Sequence, residues 1–518
     1  MSTIAARQGQ EEAYGQGLSL LRLGRHIEAI ECFERALIGR PNDASILFAL
    51  GNTADAIGHA AAAEKFFRRV LEEKPDRLEA LVNLANLLRR SGRTAETIAL
   101  LKPAIERNPQ QAELWLTLGS AVREAGDPKT AETFYREALR LMPDCAPAMG
   151  NLADLLADKG NVEEAITLYQ SALTSDPENA QARLNRAFLF LMTGDLEQGW
   201  RDYEYRLKIK ERVIHSNHGL PAWQGELKTG ARLLITAEQG LGDQIMFASL
   251  IPEIVKSLSA TQGSILLEAE PRLVPLFARS FPGIAVHGAK MESRGGQKYA
   301  YHDWLKERGG ADAAIALGSL PCLLRRKLSD FPNEHVYLIP DAKEKKKWSR
   351  WFGAQAPGPT IGVCWRSGQT AGLRGIQYAP LELWADFIRS CPGTPVSLQY
   401  DIRTEELDAL QRLSGRRLVL PPKLDQKQEI DRSAAMIASL DVVVSAPTSV
   451  SWIAAALGVP TFKLLYNNSW TSFGTDCEPF APACRCVMPT RCGDWRETFA
   501  QATEALNRRL LPDGKPAP

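Results

Sequence analysis

The sequence lacks an excess of charge of either sign. Among its 518 residues, 62 lysines and arginines stand against 61 aspartates and glutamates, for a net charge of +1. A protein that binds nucleic acid by neutralising phosphates usually carries a basic excess, so the balance argues against that class.

No apolar run approaches the roughly 18 residues that a membrane span needs, and the first residues lack the apolar core of a secretory signal. The nine cysteines are irregularly spaced, which is typical of reduced thiols. We therefore expect a cytoplasmic protein with no integral membrane segment and no nucleic-acid partner.

The first half of the chain has a period of 34 residues. Glycines recur at this interval at Gly24, Gly58, Gly92, Gly126, Gly160 and Gly194, and prolines at Pro41, Pro75, Pro109, Pro143 and Pro177. Between them stand a small and a large residue, such as Ala63 and Phe67, although the third unit has Thr97 and Leu101 instead. A glycine that ends one helix, a small residue that admits its neighbour and a proline that stops the second helix are typical of tetratricopeptide repeats. The pattern predicts six repeats that stack into a superhelix with a concave face.

Short polar residues occupy one place in the first helix of several repeats, namely Asn83, Thr117, Asn151 and Asn185. Amides along a concave face can bind the backbone of a peptide acceptor whatever its side chains are. The alternative is that short polar residues merely suit a solvated helix face. The last repeat has Gly199 and several aromatic residues, which predict a terminal unit that packs on the region that follows.

From Leu220 onward the pattern changes to short apolar runs that alternate with amphipathic stretches. Runs such as ARLLITA, SILLEAE, PTIGVCW, PVSLQY, RRLVLP, DVVVSA and PTFKLLY are predicted strands, and segments such as DQIMFASLIPEIVKSL are predicted helices. Strands that alternate with helices predict parallel sheets with helices on both faces, here as two Rossmann-like domains that face a cleft. The predicted organisation is an N-terminal tail (1–9), six repeats (10–213), a linker (214–228), a first Rossmann-like domain (229–338) and a second, donor-binding one (339–518).

Ligands of such sheets bind beyond the carboxyl ends of the strands, so the loops that follow strands are the candidate sites. In the loop Glu238-Gln-Gly-Leu-Gly-Asp243, Gly240 and Gly242 permit a tight turn and a close backbone approach to a ligand. Neither the third glycine of a dinucleotide fingerprint nor the lysine of a P-loop follows. Asp243 is then either a side chain that faces the cleft or a simple helix cap.

Two further loops follow strands of the second predicted sheet. Arg366 and Arg374 lie where arginines can grip a diphosphate, and surface ion pairing is the alternative. Thr448 and Ser449 begin a helix, where free N–H groups and the positive end of the helix dipole can bind an anion, and a plain cap is the alternative.

These strings resemble a known class of enzymes. The segments PAWQGELKTGARLLITAEQGLGDQIMFASLIPEI and SLDVVVSAPTSVSWIAAALGVPTFKLLY are similar to bacterial glycosyltransferases that join tetratricopeptide repeats to a GT-B region, and the second half also resembles lipopolysaccharide heptosyltransferases. The layout resembles O-GlcNAc transferase, and the segment NNSWTSFGTDCEPFAPACRCVMPTRCGDW near the end of the chain resembles the subgroup that modifies flagellin. The resemblance implies transfer of a sugar from a nucleotide-sugar donor to Ser or Thr hydroxyls of a protein acceptor, with flagellin as the expected acceptor.

The resemblance also assigns roles. Asp243 matches the proposed catalytic base of the heptosyltransferase loop. Arg366 and Arg374 match the basic residues that bind donor phosphate, and Thr448 and Ser449 match the donor-phosphate helix start, so that with Gly240 and Gly242 they form the expected donor site. The catalytic histidines proposed for O-GlcNAc transferase have no clear counterpart. The sequence contains no D-x-D motif, so a metal-bridged diphosphate is not expected and no cofactor is implied.

Other interpretations remain open. The chain can instead be a transferase that builds lipopolysaccharide or capsule, or a non-catalytic repeat scaffold. Cys477, Cys484, Cys486 and Cys492 are crowded in one segment, but their spacing fits a zinc site poorly. His215 and His218 can hold a metal only with a third ligand, which the sequence does not offer nearby.

Overall fold

The structure is a computed structural model that describes residues 2–511 except 211, 227, 296, 356–357, 369–374 and 376, with side chains from residue 9 onward. Two compact units make up the chain, Met1–Glu178 and Asn179–Pro518. The first is helical, and the second contains the sheets.

The first unit consists of consecutive helix pairs, which confirms the predicted repeat architecture. Its helices are α1 (Ser2–Arg22), α2 (His26–Leu37), α3 (Ala44–Ala56), α4 (Ala60–Glu73), α5 (Leu78–Arg90), α6 (Thr94–Arg107), α7 (Ala112–Glu124), α8 (Pro128–Leu141), α9 (Ala146–Asp158) and α10 (Val162–Ser175). The turn inside a pair uses the repeated glycine in the left-handed region, as at Gly58 with a φ of 81°, which glycine adopts without steric cost.

Small residues let the helices of a pair approach closely. Ala63 and Phe67 on α4 are fully buried. A Cβ atom on Gly51 of α3 would lie only 2.6 Å from the ring of Phe67. The groove on α3 is therefore shaped for an aromatic side chain. The buried clusters continue from one pair to the next, since one joins α2 to α3 and another joins α3 and α4 to α5, as stacked repeats require.

The second unit begins with the sixth helix pair, α11 (Ala180–Met192) and α12 (Leu196–Tyr203), followed by a short 3-10 helix (Glu204–Lys208). The remaining elements are β1 (Ile214–Ser216), β2 (Arg232–Thr236), α13 (Leu241–Ala248), α14 (Ile251–Ser259), β3 (Ser264–Ala269), α15 (Val274–Ser280), β4 (Ala285–Gly288), β5 (Met291–Arg294), β6 (Gln297–Ala300), α16 (Trp304–Glu307), β7 (Ala313–Ala316), α17 (Leu320–Leu324), α18 (Ala342–Gln355), β8 (Thr360–Cys364), α19 (Leu381–Ser390), β9 (Thr394–Ser397), α20 (Thr404–Ser414), α21 (Ile430–Ile437), β10 (Val442–Ser445), α22 (Ser449–Ala456), β11 (Thr461–Leu464), β12 (Cys484–Val487) and α23 (Trp495–Leu510).

Two parallel sheets organise this α/β unit, as the alternating pattern predicts. One has the order β4-β3-β2-β7 and the other β12-β11-β10-β8-β9. The strand pairs of both sheets are parallel, with registers such as Val443 opposite Gly362. Since β2 lies inside the first sheet and β10 inside the second, the loops after these strands start from the rigid centre of each sheet.

Some elements differ from the sequence prediction. The expected helix DQIMFASLIPEIVKSL is divided into α13 and α14 near Ser249, and Pro252 stands in the first turn of α14, where its missing N–H costs nothing. The run RRLVLP was a wrong strand prediction, since it contributes only an isolated bridge between Val396 and Val419. A small third sheet, β1-β6-β5, was not predicted.

The sixth helix pair packs on the α/β elements through aromatic side chains. Trp200 on α12 is almost completely buried, and its ring centroid lies 6.4 Å from Phe247, 6.3 Å from Trp470, 5.8 Å from Phe473 and 6.2 Å from Phe480. Such edge-to-face clusters stabilise a contact beyond the area they bury. The last pair and the sheets therefore form one core.

Candidate functional site

A cleft of about 850 Å³ lies at the carboxyl ends of the strands of the second unit. Its walls come from the loops that follow β2, β8, β9, β10 and β11, and the loop residues Gly240–Asp243, Ser367, Tyr400, Thr448 and Asn467 all line it. The carboxyl edge of parallel strands is where ligands of α/β folds bind. The cleft is thus the candidate site of the chain.

The first turns of two helices meet in this cleft. A Cβ atom on Gly242, in the first turn of α13, would lie 3.6 Å from the Cα of Ser449 and 3.5 Å from the ring of Trp452 on α22. The Thr448 hydroxyl caps α22 by accepting the N–H of Val450. Both helix N-termini therefore direct their positive ends at one cleft, where an anion is stabilised.

Asp243 lies on α13 within the cleft lining and is only partly exposed. Its carboxylate accepts the N–H of Gly240 at 3.2 Å, which fixes the turn before the helix. Burial raises the pKa of Asp243 to about 6, and the nearby charge of Glu238 also raises it, while the Gly240 hydrogen bond and the charges of Arg212 and Lys463 lower it. A carboxylate with a pKa near neutrality can exchange a proton at physiological pH, which suits a general base.

Of the predicted donor residues, the structure brings Gly240, Gly242, Thr448 and Ser449 to the cleft beside Asp243. It does not bring Arg366 there. The Arg366 guanidinium is buried and binds Glu406 (Nη2–Oε2, 2.7 Å) and Asp401 (Nη1–Oδ1, 2.9 Å). Arg366 thus holds together the loops after β8 and β9, in the ion-pairing alternative. Arg374 lies outside the described residues.

Lysines that the sequence analysis did not select line the cleft instead. Lys427 is exposed at the rim. Lys463 is buried in β11, where its ammonium donates to Glu478 and lies 4.0 Å from the ring centroid of Trp452. A lysine within the apolar run TFKLLY was the available signal, because a buried charge without a partner is very costly.

The predicted acceptor residues differ in their surroundings. Asn83 donates to Asn52 at 2.8 Å and Asn151 donates to Ser120 at 3.2 Å, so equivalent amides link the first helices of neighbouring repeats. Asn185 accepts a hydrogen bond from the side chain of Gln181. The asparagines remain partly exposed. Thr117 is buried, and its hydroxyl donates to the carbonyl oxygen of Glu113 in its own helix, so it does not offer a peptide-binding group.

Neither histidines nor cysteines form a metal centre in the part of the chain that the structure describes, where no group of three or more His, Cys, Asp and Glu is placed to hold an ion. Of the crowded cysteines, Cys477, Cys484 and Cys486 are free thiols. In the described ranges, no helix combines the length and apolar character that crossing a membrane requires.

Comparison with known proteins defines the class of the first part of the chain. The sequence matches tetratricopeptide repeat families over residues 14–77, 56–121, 122–173 and 153–194. The protein therefore carries tetratricopeptide repeats, followed by an α/β region with parallel sheets.

Among curated proteins, the chain is 32% identical to protein FlbA of Caulobacter vibrioides over 311 residues, which is 60% of this chain and 52% of that protein. The chain thus spans about half the length of this relative. Among solved structures it is similar to a thermophilic tetratricopeptide repeat protein of Thermus thermophilus (26% identity, 35% of this chain, 99% of that one, TM-score 0.31). It is also similar to PilF of Pseudomonas aeruginosa (20% identity, 40% of this chain, 94% of that one, TM-score 0.35).

Proposed function

We propose that the protein is a glycosyltransferase of the GT-B type that transfers a sugar from a nucleotide-sugar donor to a Ser or Thr hydroxyl of a protein acceptor. The observation that carries the proposal is the meeting of Asp243 with the N-termini of α13 and α22 in one cleft. Transfer of a sugar from a nucleotide-sugar donor requires a general base and, next to it, a site that binds the negatively charged phosphate.

In this proposal the acceptor hydroxyl attacks the anomeric carbon of the donor sugar. A bond forms between the hydroxyl oxygen and that carbon, the bond from that carbon to the phosphate oxygen breaks, and the hydroxyl proton passes to Asp243. The leaving nucleotide carries the electron pair away as negative charge. The helix start at Thr448 and Ser449 and the ammonium group of Lys427 are the cleft groups that can stabilise this charge, whereas the ammonium of Lys463 is already paired with Glu478. No step needs a metal ion.

The repeats have the role of binding the protein acceptor, because tetratricopeptide superhelices commonly present a concave surface to peptides. Asn83, Asn151 and Asn185 are the groups proposed to contact its backbone. Flagellin is the proposed acceptor, on the resemblance of the segment NNSWTSFGTDCEPFAPACRCVMPTRCGDW to flagellin-modifying transferases. A cytoplasmic location belongs to the same proposal, since nucleotide sugars are made in the cytoplasm.

The test combines nucleotide binding with acceptor mass. A thermal-shift panel of UDP, GDP, ADP and CMP is expected to reveal one stabilising nucleotide, because a ligand of the folded state raises its stability. The flagellin of a strain that lacks this protein is then incubated with the protein and a sugar conjugate of that nucleotide. A mass increase of one sugar supports the proposal, and Asp243→Asn is the control that binds the nucleotide but does not transfer. Sugar transfer to a glycolipid but not to flagellin indicates the envelope-building alternative, and an absence of both binding and transfer indicates a scaffold.

A further inference from the structure

The loop that carries Asp243 is held by residues from the segment that closes the repeats. Arg206, in the 3-10 helix after α12, is almost fully buried. Its Nη2 lies 2.6 Å from Oε1 of Glu238, and its Nε lies 3.1 Å from Oε2 of the same carboxylate. Glu238 also accepts the N–H of Gly318 at 3.1 Å. A two-pronged guanidinium–carboxylate pair fixes both partners in direction as well as distance.

Arg206 has further partners that hold it in place. Its Nη1 donates to Glu204 at 2.6 Å, and its Nη2 also donates to the hydroxyl of Ser319 at 2.8 Å. The guanidinium thus joins the end of the repeats, the loop after β2 and the turn after β7. Lysine, with a single ammonium at the end of a flexible chain, cannot reproduce this fork.

A second contact holds the next residue of the loop. The hydroxyl of Tyr203, the last residue of α12, lies within 2.7–3.0 Å of the side-chain amide of Gln239. The Gln239 carbonyl oxygen accepts from the side chain of Gln244 at 3.0 Å. The Tyr203 ring is itself packed 5.4 Å from Trp200 and 5.6 Å from Trp470. Residues 238 and 239 are therefore fixed from the repeat side immediately before the glycines of the turn.

We propose that Arg206 and Tyr203 are positioning residues for Asp243, so that the end of the repeat region is a working part of the catalytic site and not only a support for the acceptor. The inference rests on the proposed function for its catalytic meaning. Gly240 directly precedes α13, and a glycine leaves the backbone free unless the residues on both sides are held. The carboxyl side of Gly240 is held by α13, and its amino side by the two contacts from the end of the repeats.

The experiment compares full-length Arg206→Lys and Tyr203→Phe with wild type. Arg206→Lys keeps the charge and loses the fork, and Tyr203→Phe removes one hydroxyl. The matched control is Arg186→Lys on α11, where the guanidinium also binds a buried carboxylate, Asp202, at 2.7 Å but does not contact the loop. Hydrogen–deuterium exchange of the peptide that spans residues 236–244 is measured together with kcat and the donor KM.

We expect exchange in this peptide to rise about 10-fold or more in Arg206→Lys. We expect kcat to fall about 10–100-fold with the donor KM within about twofold of wild type, because a misplaced catalytic group slows the chemical step more than binding. Tyr203→Phe should show the same direction with smaller effects, and Arg186→Lys should leave both measurements unchanged. This kcat–KM split is what a merely structural role does not produce.

The outcomes separate the two proposals. Unchanged exchange in both loop variants overturns the positioning role, whatever the activity. Faster exchange with wild-type kcat also overturns it, because the loop is then free without consequence for transfer. A wild-type protein with an ordered peptide and no transfer to any acceptor overturns the proposed function instead.

Discussion

Asp243→Asn is expected to make the protein more stable and inactive at the same pH. The pKa of Asp243 rises from 3.8 to about 6, chiefly because the carboxyl is buried. One pKa unit equals 1.36 kcal/mol, so the ionised carboxylate costs the folded state about 3 kcal/mol. Asparagine removes this cost and its oxygen can still accept the Gly240 N–H. Because the raised pKa already includes every attraction and repulsion that the charge experiences, the expected gain is at most about 3 kcal/mol.

The gain has a defined pH dependence. Because the folded chain binds the Asp243 proton more tightly than the unfolded chain does, the cost of ionisation is fully present above the folded pKa of about 6. It fades as the pH falls through that value and vanishes below 3.8. The stability difference between Asp243→Asn and wild type should therefore be largest near pH 8 and small near pH 4.

The assay is urea unfolding of both proteins across this pH range, with sugar transfer measured in parallel. Transfer by Asp243→Asn should fall about 10²–10⁴-fold, the usual contribution of a general base, and wild-type transfer should rise with pH to a plateau above about pH 7. Asp494→Asn is the control, since Asp494 caps α23 by accepting the N–H of Glu497 and is exposed. The reasoning is refuted if Asp243→Asn destabilises the protein at pH 8, or if it transfers sugar at the wild-type rate.

Three further changes test the packing and the acceptor surface. Lys463→Met should lower the free energy of unfolding by about 3–5 kcal/mol because it leaves the buried Glu478 charge unpaired. Adding Glu478→Gln should recover most of the loss. Equal stability of the single and double variants contradicts the proposed ion pair. Gly51→Ala should lower the free energy of unfolding by about 1–3 kcal/mol, since the added methyl group meets an aromatic ring. Gly150→Ala, where no atom lies within 4 Å, should raise it by up to about 1 kcal/mol. Thermal unfolding that ranks the two variants in the opposite order refutes the packing argument. Asn151→Ala should raise the KM for flagellin about fivefold, the effect of one lost hydrogen bond, with the donor KM unchanged; an unaltered KM for flagellin removes this asparagine from the acceptor surface.

The helix pairs were predictable because the residues that specify them lie close together in the sequence. A glycine that ends a helix and a small–large pair within the next one act within a single repeat, so the period of 34 residues was enough to predict the helices α1–α10. The strands β2, β3, β8, β10 and β11 were predictable for a similar reason, since each is a short apolar run between turn signals. RRLVLP is also a short apolar run, but it forms only one isolated β-bridge. Whether such a run becomes a strand depends on neighbouring strands that lie far away in the sequence.

The candidate site was also predictable only in part. The sequence indicated the loop of Asp243 and the helix start at Thr448, because both follow strands and strand ends converge at one edge of a sheet. It did not reveal that Arg366 is occupied by Asp401 and Glu406, since those partners lie 35 and 40 residues further along the chain. Lys463 was not predicted either. Its place in the apolar run TFKLLY indicated a buried charge, but its partner Glu478, 15 residues further along the chain, was not evident from the sequence.

By itself, the sequence determined that the chain has tetratricopeptide repeats and then an α/β region, and which loops end at the sheet edge, because periodicity and turn residues act over short distances. Only the tertiary structure decided which charged side chains can bind a ligand and which form ion pairs with one another. It also decided that Arg206 and Tyr203, at the end of the repeats, bind the loop of Asp243. These pairings depend on packing between elements that are far apart in the chain, and no local pattern specifies them.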